Sequence, residues 1–94
     1  MQGELDEVLR ALAHTERRLF LSACLNDQRS AGYLAEQSHL SLATVSEHLK
    51  VLRKTGLVTL EKDGRYWLYR TDRTRLAQLI ELLCVLNGGE NRGT

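Results

Sequence analysis

Proline is missing from this 94-residue chain, and only two cysteines, one methionine and one tryptophan occur. Without proline, and with seven glycines, collagen-like, Pro-rich and mucin-like architectures are excluded. Two cysteines make no disulfide framework, so a reducing cytoplasm is the expected setting. No apolar run approaches the roughly 18 residues of a membrane span, and no membrane partner is expected. Glu4, Asp6 and Glu7 stand where an export signal would carry bases, so no such signal is read. A glycine-rich phosphate loop, G-x-S-x-G and H-E-x-x-H are all missing, which argues against an enzyme. No cofactor is expected.

One sign of charge does not dominate either, since 13 bases face 12 acids for a net +1. Taken alone that balance argues against a nucleic-acid partner. Its distribution does not. Residues 1–43 carry four bases against six acids, and residues 76–94 one against two. Residues 44–75 carry eight bases (Lys50, Arg53, Lys54, Lys62, Arg65, Arg70, Arg73, Arg75) against four acids. A local excess of +4 marks either an anion-binding face or a solvated surface.

With 43% apolar and 27% charged residues the chain reads as one folded domain. It is short enough that burying a full core alone is difficult. Leu5, Val8, Leu9 and Leu12 recur at helical spacing and predict a first helix over residues 4–13. His14 and Thr15 interrupt it and can cap a second helix, residues 16–26, which is apolar on most sides through Leu19, Phe20, Leu21, Ala23, Cys24 and Leu25. Asn26-Asp27-Gln28 breaks that helix. Ser30 caps a third over 31–38, with Tyr33 and Leu34 turned inward. Ser38-His39-Leu40 is a turn in which His39 occupies a place suited to positive φ. Ser41 caps a fourth helix running to about Thr55, with Val45, Leu49 and Leu52 inside and Gly56 closing it. Two β-prone runs in residues 57–70 flank Asp63-Gly64 and predict a hairpin. Thr71 or Asp72 caps a last helix over 73–87. The expected architecture is mainly α with a β-hairpin wing, in the order helix-helix-helix-helix-β-β-helix. Residues 1–87 form the domain and 88–94 a flexible tail.

Two helices joined by a short turn, the second capped by serine, read as a helix-turn-helix. Turning about 100° per residue, the fourth helix puts Ala43, Ser46, Glu47, Lys50, Arg53 and Lys54 opposite its inner stripe. Short side chains at Ala43 and Ser46 allow approach to base edges. Lys50, Arg53 and Lys54 suit phosphates. The hairpin tip adds Lys62 and Arg65 beside that helix, and a helix-turn-helix with a basic-tipped hairpin is the winged arrangement.

The segments A-L-A-H-T-E-R-R-L (11–19), L-A-E-Q-S-H-L-S-L-A-T-V-S-E-H-L-K-V-L-R-K-T-G-L-V (34–58) and D-G-R-Y-W-L-Y-R (63–70) resemble the ArsR/SmtB family of bacterial winged-helix repressors. The resemblance covers roughly residues 5–86, and T-V-S-x-H-L-x-x-L-R-x-x-G-L-V is its most specific run. It implies a homodimeric repressor that binds double-stranded operator DNA and is released by an effector. The family's reading positions fall on Leu42, Ala43, Ser46 and Glu47, with His48 close by. Leu42 and Glu47 depart from the polar or basic residues common there. The full candidate DNA surface is Ser41, Leu42, Ala43, Thr44, Ser46, Glu47, His48, Lys50, Arg53, Lys54, Lys62 and Arg65.

A homodimer also follows from apolar surface. The last helix carries one stripe of Leu76, Ile80, Leu83 and Cys84 and a second of Leu79, Leu82 and Leu86. The second, with Leu5, Val8, Leu9 and Leu12 of the first helix, is read as the partner-facing side. Family metal sites are absent as patterns: Ser30-Ala31-Gly32 holds no Cys-x-Cys, the last helix opens Asp72-Arg73-Thr74, and no histidine follows His48. A metal-responsive repressor and a winged-helix protein-interaction module remain alternatives. The resemblance also includes a two-cysteine branch that senses persulfides or oxidants. Cys24 and Cys84 match its spacing approximately, as a thiol switch or as buried filler, with Arg17 two turns before Cys24 as a thiolate partner.

Overall fold

Ser30, Ser41 and Asp72 start three of the helices by the same chemistry. Each side-chain oxygen accepts a hydrogen bond from the backbone N–H three residues on: Tyr33 at 3.0 Å, Thr44 at 3.1 Å and Arg75 at 3.0 Å. The caps satisfy donors that a helix start leaves bare. The computed structural model describes residues 2–88. Its elements run α1 (Gln2–Leu12), α2 (Thr15–Ala23), β1 (Arg29–Ser30), α3 (Ala31–Ser38), α4 (Leu42–Lys54), β2 (Val58–Asp63), β3 (Tyr66–Thr71) and α5 (Arg73–Leu86). The expected tail falls outside the described residues from 89 onward. His14 precedes α2 without a side-chain cap, and Asp72 rather than Thr71 caps α5. Thr71 is buried, and its hydroxyl donates to the Leu21 carbonyl at 2.7 Å.

Backbone geometry closes the elements where the residue types allow it. His39 takes φ 62 at the end of α3, the left-handed value expected of it, and its N–H donates to the Ala35 carbonyl at 2.9 Å. Gly56 follows α4 at φ 82. The hairpin pairs Asp63 with Tyr66, so its loop is Gly64-Arg65 rather than Asp63-Gly64. Gly64 alone in that loop has positive φ, at 64. Glycine at the first loop position is the II′ arrangement, whereas an Asp-Gly loop predicts I′.

The sheet has one strand more than the hairpin. β1 pairs antiparallel with β3, Arg29 against Tyr69 and Ser30 against Leu68, giving the order β1-β3-β2. Two residues are too few to show a strand period in sequence. Backbone bonds from Thr71 N to the Cys24 carbonyl at 3.0 Å and from Asp72 N to the Leu57 carbonyl at 2.9 Å tie the base of the hairpin to the helices.

The core gathers Val8 and Ala11 of α1, Phe20, Leu21 and Cys24 around α2, Leu34 of α3, and Val45, Leu49 and Leu52 of α4. Leu57, Val58, Tyr69 and Leu79 complete it. Burial of one such leucine stabilises by about 1.5–3 kcal/mol. Tyr33 does not turn inward as expected: it is exposed, with the Arg29 guanidinium 4.5 Å from its ring centroid. Leu19 is exposed too.

Two members of the expected partner-facing stripe turn inward instead. Leu79 and Val8 are buried in the chain's own core, and Leu5 and Leu12 pack against it. Leu5, Val8, Leu57, Leu79 and Leu82 line a cavity of about 10 Å³. α1 and α5 thus close on each other through that stripe, aided by Arg75–Glu4 at 3.0 Å. Of the residues assigned to a partner, Leu9 and Leu86 stay exposed, joined by Ile80, Leu83 and Val85. No helix among the described residues is long and apolar enough to cross a membrane.

Candidate nucleic-acid interface

α4 is held from one side only. Val45, Leu49 and Leu52 are fully buried, which fixes the helix rotation. Ser41, Leu42, Ala43, Thr44, Ser46, Glu47, Lys50, Arg53 and Lys54 are consequently all exposed. The first two turns of that surface carry small or uncharged groups apart from Glu47, and the last turns carry the bases. Ser41 is committed to its helix start, accepting from Thr44 N and donating its hydroxyl to Thr44 Oγ1 at 2.9 Å.

The local basic excess splits in two. Arg70, Arg73 and Arg75 serve the fold. Arg70 lies 3.8 Å from Glu61, Arg73 donates to Asn26 Oδ1 at 3.0 Å, and Arg75 pairs with Glu4 and donates to the Thr55 carbonyl at 3.2 Å. Lys50, Arg53, Lys54, Lys62 and Arg65 are exposed, and none joins an ion pair among the described residues. These side chains are free to meet an external anion, and all lie on α4 or the wing.

His48 stands apart from that surface. Half-buried on the flank of α4, it accepts a hydrogen bond at Nδ1 from Arg17 Nε at 3.1 Å. Its ring lies 6.0 Å from that of His14 and 6.1 Å from that of Phe20. Burial holds its pKa below the ordinary value, and the Arg17 cation acts in the same direction. One of its two ring nitrogens is thereby engaged with α2, which sets His48 at the flank of the candidate DNA surface.

The cysteines occupy unlike sites. Cys24 is fully buried, and that burial pushes its thiol up to about 11 against the opposing pull of Arg29. Arg17 is not its partner; that guanidinium bonds His48 and the Ala11 carbonyl. Cys84 is half-buried on α5, and both thiols are free. A protonated, enclosed thiol is the opposite of a reactive one. Among the described residues no group of three or more His, Cys, Asp or Glu side chains gathers to hold a metal ion.

Sequence reasoning passed over the aromatic residues of the wing. Tyr66 and Trp67 are exposed, and the Lys62 ammonium sits 4.6 Å from the Trp67 ring centroid. Counting outward from a two-residue loop would have set Lys62 opposite Trp67. The Asp-Gly placement of the loop hid that pairing.

Helix, turn, reading helix and antiparallel wing together define a winged helix-turn-helix protein. Residues 14–59 match the family described as "Bacterial regulatory protein, arsR family". The chain is 38% identical over 85 residues to the HTH-type transcriptional repressor SmtB of Mycobacterium tuberculosis, covering 90% of this chain and 62% of that protein. It is 34% identical over 76 residues to the transcriptional activator HlyU of Vibrio cholerae, covering 81% of this chain and 70% of HlyU. The structure of reduced HlyU superposes with a TM-score of 0.73 at 32% identity, covering 90% of each chain. An ArsR-like transcriptional regulator from Rhodococcus sp. RHA1 superposes with a TM-score of 0.84 at 29% identity, covering 93% of this chain and 82% of that one. The chain belongs to the arsR family of bacterial regulatory proteins, a family of transcription regulators rather than enzymes.

Proposed function

We propose that the chain is a transcriptional repressor that binds double-stranded operator DNA as a homodimer and is released by an effector. The observation that carries this reading is the division of the basic residues. Within residues 44–75, the bases committed to the fold lie at the base of the sheet and on α5, and the five that join no ion pair line α4 and the wing. Leu42, Ala43, Ser46 and Glu47 face base edges, with Ser41 and Thr44 beside them at the start of the helix. A serine hydroxyl at Ser46 can bond a base, the Ala43 methyl can touch thymine, and Glu47 can accept from a cytosine amino group. Lys50, Arg53, Lys54, Lys62 and Arg65 hold phosphates and fix the register. Repression follows the sign in the name of SmtB; HlyU is named an activator, so a promoter–reporter assay decides the sign. As a reader of DNA the chain would work in the cytoplasm.

Residues 1–87 serve as one DNA-binding and dimerisation unit in this reading. Exposed Leu9, Ile80, Leu83, Val85 and Leu86 supply the apolar surface for a second copy. A two-fold dimer sets two reading helices about one DNA turn apart. Burial of Cys24 weighs against an intrachain Cys24–Cys84 switch as the means of release.

The test is selection of duplexes from a randomised pool followed by titration of binding against salt. Affinity for a true DNA ligand falls steeply with salt, because contacted phosphates release counterions. Lys62→Ala weakens binding to selected and unselected duplexes alike. Ser46→Ala weakens binding mainly to the selected one. The reverse pattern, or a flat salt response, overturns the assignment.

A further inference from the structure

Trp67 is the chain's single tryptophan, yet half of its surface is left in solvent. Its placement is set by register. Val58, Leu60 and Lys62 share one face of β2, opposite Thr71, Tyr69 and Trp67 of β3. At the base of the hairpin that face is core, with Val58, Thr71 and Tyr69 buried. Further out it leaves the body, and its last pair is Lys62 on Trp67. The Lys62 ammonium lies 4.6 Å from the ring centroid, inside the roughly 6 Å range of a cation–π contact. Tyr66 lies on the other face, opposite Asp63.

The two residues need each other for different reasons. A lysine on an exposed hairpin has a flexible four-carbon stem and spreads its charge over many positions. The ring face narrows that spread by attracting the cation electrostatically. Such a contact takes up none of the three N–H donors of the ammonium in a conventional hydrogen bond, so they remain available to phosphate oxygens. The exposed indole covers the lysine stem in return.

We infer that Trp67 is a positioning residue of the wing, holding the Lys62 ammonium in place for a nucleic-acid phosphate. The inference rests on the DNA-binding reading above. It adds a residue that the basic pattern does not include, and it assigns the Lys62 side of the wing, rather than the Tyr66 side, to the duplex.

The experiment uses the full chain and a labelled mixed-sequence duplex, because a phosphate contact does not depend on base sequence. Trp67→Leu is expected to weaken binding about two- to fivefold, the range of an exposed cation–π pair. Trp67→Phe, which keeps a ring, restores most of the loss. Lys62→Ala lowers the slope of log affinity against log salt by about one. With Lys62→Ala already present, Trp67→Leu adds nothing. Tyr66→Ala leaves affinity unchanged. Fluorescence of the lone indole in the DNA-free chain reads the contact directly, and Lys62→Ala shifts its intensity.

Equal losses from Trp67→Leu with and without Lys62 overturn this inference alone. So does an indole emission indifferent to Lys62→Ala. Binding by the unaltered chain that ignores salt overturns the DNA reading and this inference with it.

Discussion

Two leucine-rich helices of this chain end in opposite environments. On α4, Val45, Leu49 and Leu52 are fully enclosed. On α5, Ile80, Leu83, Val85 and Leu86 remain between 41% and 71% exposed. Residue type does not separate them, since both rows are aliphatic at helical spacing. What differs is the surroundings. α4 is packed by α2, α3 and β2, whereas α5 meets the rest of the chain along the inner row of Leu76, Leu79 and Leu82. The body of one chain completes its own core around α4, and the outer face of α5 is surplus. A short chain that cannot enclose all its apolar surface leaves that surplus for association.

The largest expected effect tests the enclosed side. Leu49→Ala should cost about 2–5 kcal/mol, because a void opens where no side chain can relax into it. Leu83→Ala should change the stability of the single chain by less than about 0.5 kcal/mol. Urea unfolding at a concentration where the chain is monomeric measures both. Equal costs would mean that the outer face of α5 is packed within the chain after all.

Next comes the surplus side. Leu83→Glu combined with Leu86→Glu should weaken self-association by about a hundredfold, since each carboxylate would have to be buried unpaired. Secondary structure should stay intact by circular dichroism. Analytical ultracentrifugation reads the mass, and a dimer that survives both substitutions moves the interface away from α5.

The division between these surfaces was only partly legible in the sequence. Chemistry that acts within a few residues was readable. Ser30, Ser41 and Asp72 were identifiable as caps, Gly56 as a helix stop, and His39 as a positive-φ residue from its place in the turn. The α4 stripe was readable because its three buried positions, Val45, Leu49 and Leu52, are four and three residues apart. Matters settled between distant segments were not. α5 offers two apolar stripes, and only the placement of α1 turns the one with Leu79 and Leu82 toward the chain's own body. β1 is two residues long and exists only through β3. The bond from Arg17 to His48 joins residues 31 apart, and nothing in the spacing of either helix marks it. Nor could spacing along the chain tell that the Cys24 site is closed.

The cysteines repeat the comparison one residue at a time. In the folded chain iodoacetamide should modify Cys84 on α5 first, while Cys24 reacts only as the chain unfolds. The attacking species is a thiolate, and Cys24 is both enclosed and held protonated. The sign of its pH effect follows from linkage. A folded-state pKa near 11 lies above the ordinary value of 9.0, so the folded chain keeps a proton that the unfolded chain releases. Stability from this group is full below pH 9.0 and is lost as pH rises toward about 11. Cys24→Ala should flatten that alkaline decline in a melting series, even though it lowers stability overall. Faster labelling at Cys24 than at Cys84 would contradict the enclosed site and reopen the thiol switch.

The smallest effect concerns strain inside the well-packed body. Both turns that flank α4 contain a left-handed residue, His39 at φ 62 before it and Gly56 at φ 82 after it. Glycine adopts that conformation freely, and a residue with a Cβ does not. His39 is exposed, so its ring contributes little packing that a substitution would remove. His39→Gly should therefore stabilise the chain by about 0.5–1 kcal/mol, with the gain in backbone strain partly offset by a freer unfolded state. Gly56→Ala should do the reverse at a similar size, because φ is unfavourable there although the nearest atom, Arg75 Nε, would lie an unstrained 3.6 Å from the new Cβ. Paired melting curves read both. Destabilisation by His39→Gly would show that the imidazole, rather than the backbone geometry, is what the turn before the reading helix requires.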